Sequence, residues 1–220
     1  MKQVQCLPRK IVFGKKSLSE TDFSGKRLIV LHGRSTASEK GVDLIIKKLQ
    51  QRHLIFDAYN FQTMDQITNF ANEMMQKTVD VVVGIGGGSV IDKAKKVGGC
   101  LRQSTNLVDL IVVPTLPGSG VESSKAIVVN EPLKYIEADN KFLPDDVIYD
   151  FGLIAQAGLE VLVTETPSTE SVASDESWLK ELLLSLVAGI AVVSHLSLPL
   201  SAVTLKPLDA PVFSLDKTIE

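Results

Sequence analysis

Continuous apolar runs alternate with segments of helical periodicity along the first 150 residues. Apolar runs of this kind are typical of strands buried on both faces of a parallel sheet. Between them, apolar residues recur at the three- and four-residue spacing of amphipathic helices, and Thr63 is placed to act as an N-cap. The predicted strands are Arg27–His32, His53–Tyr59, Val79–Ile85 and Asn106–Pro114, and the predicted helices are Gly41–Gln51, Thr63–Gln76 and Ile91–Leu101.

This alternation predicts an α/β fold, a Rossmann-like parallel sheet domain with helices on both faces. Right-handed crossovers place the carboxyl ends of the strands along one edge, where ligands bind in such sheets. We place the end of this domain at residue 150, because the composition changes near Phe151 to small, polar and acidic residues. Residues 151–220 are expected to form a short, truncated helical segment, with one helix over Asp175–Val193 and an irregular tail from Leu205.

The composition is that of an ordinary globular protein, with 45% hydrophobic and 22% charged residues among 220. It excludes intrinsic disorder and disulfide-stapled miniproteins. The 23 basic and 26 acidic residues give a net charge of −3, so no nucleic-acid partner is expected. Two cysteines, Cys6 and Cys100, are too few for a disulfide framework and indicate a reducing, cytoplasmic compartment.

One uncharged stretch, Leu182–Leu205, is long enough to span a bilayer. Polar residues and a proline interrupt its second half, and the firmly apolar part, Leu182–Val193, has only the length of a buried helix. The basic N-terminus lacks the apolar core of a signal peptide, so no membrane association is expected. If no further helices cover Leu182–Val193, its apolar face needs a partner, which predicts a homo-oligomer.

Three glycines and a serine, Gly86–Ser89, join a predicted strand to a predicted helix. Such a run exposes backbone N–H groups at the positive end of the helix, where phosphate oxygens fit. Ser89 can cap the helix or donate its hydroxyl to a phosphate. The alternative is a tight turn in which glycine only relieves crowding between helix and strand. The run is not a Walker loop, and it lacks the spacing of the usual dinucleotide fingerprint.

A second loop, Pro114–Ser124, is rich in glycine and small hydroxyl residues, and it either wraps another part of the same ligand or is a surface loop. Together the two loops resemble the iron-containing alcohol dehydrogenase family, whose fold is shared by glycerol dehydrogenase and dehydroquinate synthase. The family's Gly-Gly-Gly-Ser-x-x-Asp-x-x-Lys motif is matched by Gly86–Lys95, and its Pro-Thr-Thr-x-Gly-Thr-Gly-Ser-Glu motif is matched, with changes, by Pro114–Glu122. Its typical opening and closing segments are matched by Leu7–Gly14 and Leu143–Asp150.

The resemblance implies a nicotinamide dinucleotide site. The Gly-rich loop would hold the pyrophosphate, and Lys134 would reach the nicotinamide ribose unless it is a solvated lysine in a hairpin. Gly33 stands where an acidic residue would favour NAD, so the neighbouring guanidinium and hydroxyl favour NADP over NAD. The residues assigned to the cofactor are Gly33, Arg34, Ser35, Gly86, Gly87, Gly88, Ser89, Asp92, Thr115, Ser119 and Lys134.

Family members hold iron or zinc through an aspartate and histidines, and the metal lowers the pKa of the alcohol. Gly158–Thr164 resembles the first ligand segment, but it has Glu160 in place of the aspartate and threonine in place of the histidine. His195 is the one histidine near the position of the later ligands. These degenerate candidates do not complete a metal site by ligand count, so no metal site is predicted.

The resemblance therefore implies an NAD(P)-dependent oxidoreductase that acts on a small alcohol or aldehyde. The degenerate metal set favours the alternative, a catalytically inactive nucleotide-binding or regulatory protein that retains the cofactor domain. A phosphate-eliminating synthase or a glycerol-phosphate dehydrogenase of the same fold would need the same metal ligands. Cofactor binding is common to all these alternatives, and the catalytic residues stay unassigned.

Overall fold

The computed structural model describes residues 7–47, 54–105, 107–116, 120–129, 134–157 and 213–214. The strands in these ranges are β1 (Lys10–Gly14), β2 (Leu28–His32), β3 (Leu54–Asp57), β4 (Val81–Gly86), β5 (Asp109–Pro114), β6 (Ala126–Val129), β7 (Tyr135–Ala138), β8 (Asp146–Asp150) and β9 (Phe213–Ser214). The α-helices are α1 (Ser17–Glu20), α2 (Thr36–Ile46), α3 (Met64–Met74) and α4 (Gly88–Thr105), and residues 151–157 are also helical. Three 3-10 turns lie at Ala58–Asn60, Val121–Ser123 and Asn140–Phe142.

Seven strands form one sheet in the order β3-β2-β4-β5-β8-β1-β9. Strands β3 to β1 in this order pair in parallel, and β9 pairs with β1 in the antiparallel sense. Strands β6 and β7 form a separate antiparallel pair. The predicted Rossmann-like parallel sheet is confirmed, and the four predicted strands correspond to β2, β3, β4 and β5.

Helices cover both faces of the sheet, which is why the central strands are apolar at every position. Ile29 and Leu31 of β2 belong to the core formed with α3 and α4. Val30, between them, belongs to the opposite core, with Val42 and Ile45 of α2. Helix α2, which follows β2, therefore lies on one face of the sheet, and α3 and α4, which follow β3 and β4, lie on the other. The connecting helices thus change faces between the neighbouring strands β2 and β4. A change of this kind opens a crevice at the carboxyl ends of the two strands.

Two helices begin earlier than the sequence predicts. Helix α2 begins at Thr36 rather than Gly41, because the hydroxyl of Ser35 accepts the N–H of Ser38 and caps the helix. Gly41 lies inside α2, where an added Cβ would be 2.8 Å from Cγ2 of Ile85, so glycine lets the helix approach β4 closely. Helix α4 begins at Gly88 rather than Ile91, so the end of the glycine run forms its first turn.

Thr63 caps α3, as the sequence predicts. Its hydroxyl accepts the N–H of Gln66 at 3.2 Å, and the Gln66 side chain accepts the N–H of Thr63 at 3.3 Å, which completes a capping box. Thr63→Ala is expected to lower the free energy of unfolding by about 1 kcal/mol, measured by urea denaturation. Thr63→Ser keeps the hydroxyl and should leave the stability nearly unchanged, so an equal loss in both variants would contradict the capping role.

The rest of the predicted C-terminal organisation falls largely outside the described ranges, including Asp175–Val193 and Leu182–Leu205. In the part of the chain that is described, no helix is long and apolar enough to cross a membrane. Phe213–Ser214, within the predicted irregular tail, is extended and pairs with β1. The domain division at residue 150 stays a prediction. In the helical residues 151–157, Leu153 belongs to the core that contains α2, and Ile154 belongs to the core that contains α3 and α4.

Candidate functional site

Three predicted ligand loops meet at the carboxyl edge of the sheet. The N–H of Gly33, just after β2, donates to the carbonyl of Ile85 in β4 at 3.0 Å. The N–H of Thr115, just after β5, donates to the carbonyl of Gly86 at 3.0 Å. The parallel ladder thus holds the segments Gly33–Ser35, Gly86–Ser89 and Thr115 side by side, at the point where the chain changes faces.

The Gly-rich loop presents unpaired donors at the start of α4. Among the described residues, no acceptor takes the N–H of Gly87, Gly88 or Ser89. The carbonyl of Gly87 accepts from Val90 and Ile91 and so turns the chain into the helix. Unpaired N–H groups at the positive end of a helix are the kind of donors that can bind an anion, and α4 is 18 residues long.

The glycines of this region fall into two classes. A Cβ at Gly84 would lie 2.5 Å from Cβ of Ala94, and at Gly86 (φ 155°) it would lie 2.9 Å from Cγ2 of Val90. These two glycines allow β4 and α4 to pack closely, as the tight-turn alternative required. At Gly87 and Gly88, by contrast, a Cβ would meet no atom within 4 Å. Packing among the described residues therefore gives no reason for glycine at these two positions.

A buried ionic cluster lies one turn below the loop, inside α4. Lys95 is fully buried, and Asp92 is 8% exposed. The Nζ of Lys95 donates to three carbonyls, those of Val121 (2.6 Å), Ser124 (2.9 Å) and Ala126 (3.0 Å). Three acceptors require three N–H donors, so Lys95 is an ammonium ion that ties the end of the second loop and the start of β6 to α4.

Two buried carboxylates, those of Asp92 and Glu122, interact electrostatically with this ammonium. Burial raises the pKa of Asp92, and the charge of Lys95 opposes this rise. Burial likewise lowers the pKa of Lys95, against the attraction of Asp92 and Glu122. The hydroxyl of Tyr149 donates to Oε1 of Glu122 at 3.2 Å, and burial raises the pKa of Tyr149, with the charge of Glu122 adding to the effect. Sequence reasoning missed Lys95, Glu122 and Tyr149 as members of the site, although the first two stand in the two loop motifs.

The loop after β2 is held in a fixed shape. Gly33 is buried, and a Cβ there would lie 3.1 Å from Oγ of Ser38. Ser35 caps α2, and its hydroxyl lies 2.8 Å from that of Ser38. Nε of Arg34 donates to Oδ2 of Asp57 at 2.6 Å. Asp57 ends β3, and sequence reasoning missed it because its partner Arg34 lies 23 residues away, in the loop after the neighbouring strand β2.

The other predicted residues lie as follows. Thr115 is buried beside Gly86, and Lys134 is exposed just before β7. Ser119 and both degenerate metal candidates, Glu160 and His195, lie outside the described residues. Within the described ranges, no group of three or more histidine, cysteine or acidic side chains could hold a metal ion.

The parallel order, the change of face between β2 and β4 and the Gly-rich turn into α4 define a Rossmann-like α/β protein. The chain belongs to the iron-containing alcohol dehydrogenase family, whose model matches residues 8–151. The opening and closing motifs of the resemblance contain β1 and β8, which pair with each other in the sheet.

Curated proteins are similar to part of the chain. The 1-propanol dehydrogenase PduQ of Citrobacter freundii is 31% identical over 112 residues, which cover 46% of this chain and 30% of that protein. The glycerol-1-phosphate dehydrogenase of Thermoplasma volcanium is 28% identical over 135 residues, covering 59% and 36%. The chain thus spans about a third of the length of the curated relatives that it matches.

Solved structures show the same fold. An iron-containing alcohol dehydrogenase of Thermotoga maritima superposes with a TM-score of 0.55 at 23% identity, covering 67% of this chain and 47% of the other. A probable glycerol dehydrogenase of Sinorhizobium meliloti gives a TM-score of 0.53 at 19% identity, covering 68% and 41%.

Proposed function

We propose that the chain forms the cofactor-binding part of an NAD(P)-dependent oxidoreductase that acts on a small alcohol or aldehyde. The observation that carries the proposal is the pair of glycines, Gly87 and Gly88, which packing among the described residues does not explain and whose N–H groups have no acceptor there. A Cβ at either position would enter the open space in which phosphate oxygens would approach these donors.

The geometry supports a specific order of contacts. The N–H groups of Gly87, Gly88 and Ser89 bind the pyrophosphate, and the segment Gly33–Ser35, across the crevice, binds the adenosine ribose. Gly86 provides the sharp entry into this loop, and Asp92 is assigned to the cofactor site from the matched family motif. On the family resemblance, Thr115 and Ser119 are assigned to the cofactor groove, and Lys134 is assigned to the nicotinamide ribose. When bound, the nicotinamide accepts a hydride from the alcohol or returns one to the aldehyde.

The substrate class rests on the family and on the names of the relatives, which include a 1-propanol dehydrogenase. The family description names iron, but the described residues hold no metal-binding group, so no chemical step is assigned to a metal. Glu160 and His195 remain the candidate ligands. A homo-oligomer and a cytoplasmic location complete the proposal.

The binding-only alternative has less support, because the relatives and solved neighbours named above are all described as dehydrogenases. Turnover separates the two functions. We expect oxidation of 1-propanol with NAD(P)+, assayed with and without added iron(II) or zinc. Cofactor binding without turnover under any of these conditions would favour the binding-only protein.

Binding is tested by following the fluorescence of NADPH and NADH during titration with the protein. Gly88→Asp places a carboxylate in the space proposed for the pyrophosphate, and we expect the dissociation constant to rise at least about 100-fold. The variant should remain folded, because an acidic residue is favourable in the first turn of a helix.

Ser24→Asp is the matched control, because it adds the same charge at an exposed position before β2, on the opposite edge of the sheet. It should bind as the wild type does. Unchanged binding by Gly88→Asp would contradict the assignment of the loop, and absence of binding by the wild type would contradict the proposed function.

A further inference from the structure

A charged cluster lies at the carboxyl ends of β2 and β3, on the adenosine side of the proposed crevice. It consists of Arg34, Asp57, Tyr59 and Lys93. In Rossmann-type folds, an acidic residue beside the adenosine ribose accepts the ribose hydroxyls of NAD, whereas an arginine nearby accommodates the 2′-phosphate of NADP. This chain places both residue types in contact, so their pairing bears directly on the choice of cofactor.

Both oxygens of Asp57 are already engaged. Oδ1 accepts the N–H of Tyr59 at 2.8 Å, and Oδ2 accepts Nε of Arg34 at 2.6 Å. Burial opposes ionisation of Asp57, but the hydrogen bonds from Arg34 and Tyr59 outweigh it and lower the pKa of the carboxyl. A ribose diol would have to displace a charge-assisted hydrogen bond to reach this carboxylate.

The Arg34 side chain is held by Asp57 and Tyr59, and yet most of it is exposed. Its guanidinium carbon lies 5.3 Å from the centre of the Tyr59 ring, and its side chain is 62% exposed. Asp57 accepts a hydrogen bond only from Nε, and no acceptor in the described ranges receives one from the terminal nitrogens Nη1 and Nη2. Two adjacent N–H donors on a planar guanidinium match the geometry of a phosphate group.

Lys93 anchors the turn after β3, which carries Tyr59. Its Nζ donates to the carbonyls of Ala58 (2.9 Å) and Phe61 (2.8 Å), at the two ends of the turn that contains Tyr59. The same Nζ lies 5.6 Å from the centre of the Tyr59 ring. Because Lys93 belongs to α4, the turn after β3 is tied to the helix that begins with the Gly-rich loop.

We propose that Arg34 masks Asp57, so that the pair selects a dinucleotide whose adenosine ribose carries a 2′-phosphate. The inference rests on the proposed function, because it assumes that the crevice binds a nicotinamide dinucleotide. Arg34 removes Asp57 as an acceptor for the ribose hydroxyls and directs its two terminal nitrogens to the 2′-phosphate. Asp57 and Tyr59 are positioning residues that hold the guanidinium.

The test compares the dissociation constants of NADPH and NADH, measured by fluorescence for the wild type and for variants of the pair. The wild type should prefer NADPH. Arg34→Ala should weaken NADPH at least about tenfold, because the phosphate loses its cation and meets an unmasked carboxylate. The same variant should bind NADH a few-fold more tightly, because Asp57 becomes free to accept the ribose hydroxyls. The double variant Arg34→Ala with Asp57→Asn should lose the preference for either cofactor.

Lys26→Ala is the matched control, since Lys26 is an exposed cation before β2, at the opposite edge of the sheet, and its removal changes the net charge equally. It should leave the ratio of the two dissociation constants nearly unchanged. A wild type that prefers NADH, or an Arg34→Ala variant that weakens both cofactors equally or neither, would overturn the masking role while the proposed function stands. A wild type that binds neither nucleotide would overturn the proposed function and this inference with it.

Discussion

Gly84→Ala is expected to lower the free energy of unfolding by about 2 kcal/mol, because the added methyl group has no room. Its Cβ would lie 2.5 Å from Cβ of Ala94, and this atom is fixed to the backbone of α4 and cannot rotate away. Relief would require moving α4 away from β4, although Val83 and Ile85 of the strand and Ala94 and Val97 of the helix are all fully buried. Close-packed interiors transmit such a displacement and do not absorb it.

Gly88→Ala is the matched control, because it adds the same methyl group four residues along the chain, in open space. Its stability should be unchanged or slightly higher, since alanine is a better helix former. Nucleotide binding should respond in the opposite way, being weakened by Gly88→Ala and retained by folded Gly84→Ala. Urea denaturation and fluorescence titration of both variants measure the two effects. Equal stability losses would contradict the division of the glycines into two classes.

Lys95→Met is expected to cost about 3–5 kcal/mol of unfolding free energy. The substitution preserves the length of the side chain but removes the ammonium, which leaves the carbonyls of Val121, Ser124 and Ala126 without their shared donor. It also leaves the carboxylates of Asp92 and Glu122 buried without their cation. Removing one partner from a buried ionic group costs this much because the remaining charge is not compensated.

Lys96→Met is the neighbouring control. Its ammonium lies 2.9 Å from Oε2 of Glu137, and its side chain keeps 17% exposure, so the loss should be about 1 kcal/mol or less. Chemical denaturation at neutral pH measures both variants. Similar losses would contradict the anchoring role of Lys95. Because Lys95 ties the end of the second loop to α4, Lys95→Met should also weaken nucleotide binding while it is still folded.

Much of the sheet could be predicted from the chain, because strands buried on both faces produce continuous apolar runs. The same signal misses β1, β6 and β7, which are only partly buried, and β8, whose apolar run is three residues long. Residues 10–14 and 146–150 stand out in the sequence only as family motifs, and their parallel pairing is visible only in the structure. The starts of α2 and α4 are predicted too late, because periodicity marks the packed face of a helix and not its first turn.

The candidate site divides in the same way. Gly86–Ser89 could be identified locally, since a glycine run between strand and helix has few explanations. The partners of Lys95 could not be identified, because they lie 26 to 31 residues away and are backbone carbonyls, which every residue type has. Asp57 was missed for a related reason, because its partner Arg34 lies far from it along the chain and no local pattern indicates that the two side chains meet.

Local sequence was therefore sufficient for the α/β class, the Gly-rich loop and the cap of α3, since each depends on residues within a few positions of one another. The three-dimensional packing alone decided which glycines serve the fold and which remain unexplained by it. It also decided that Asp57 is occupied by Arg34, and that Lys95 is an anchored ammonium. The physical reason is that close contact, burial and charge pairing depend on distances in space, which the parallel sheet sets by bringing the ends of β2, β3, β4 and β5 to one edge.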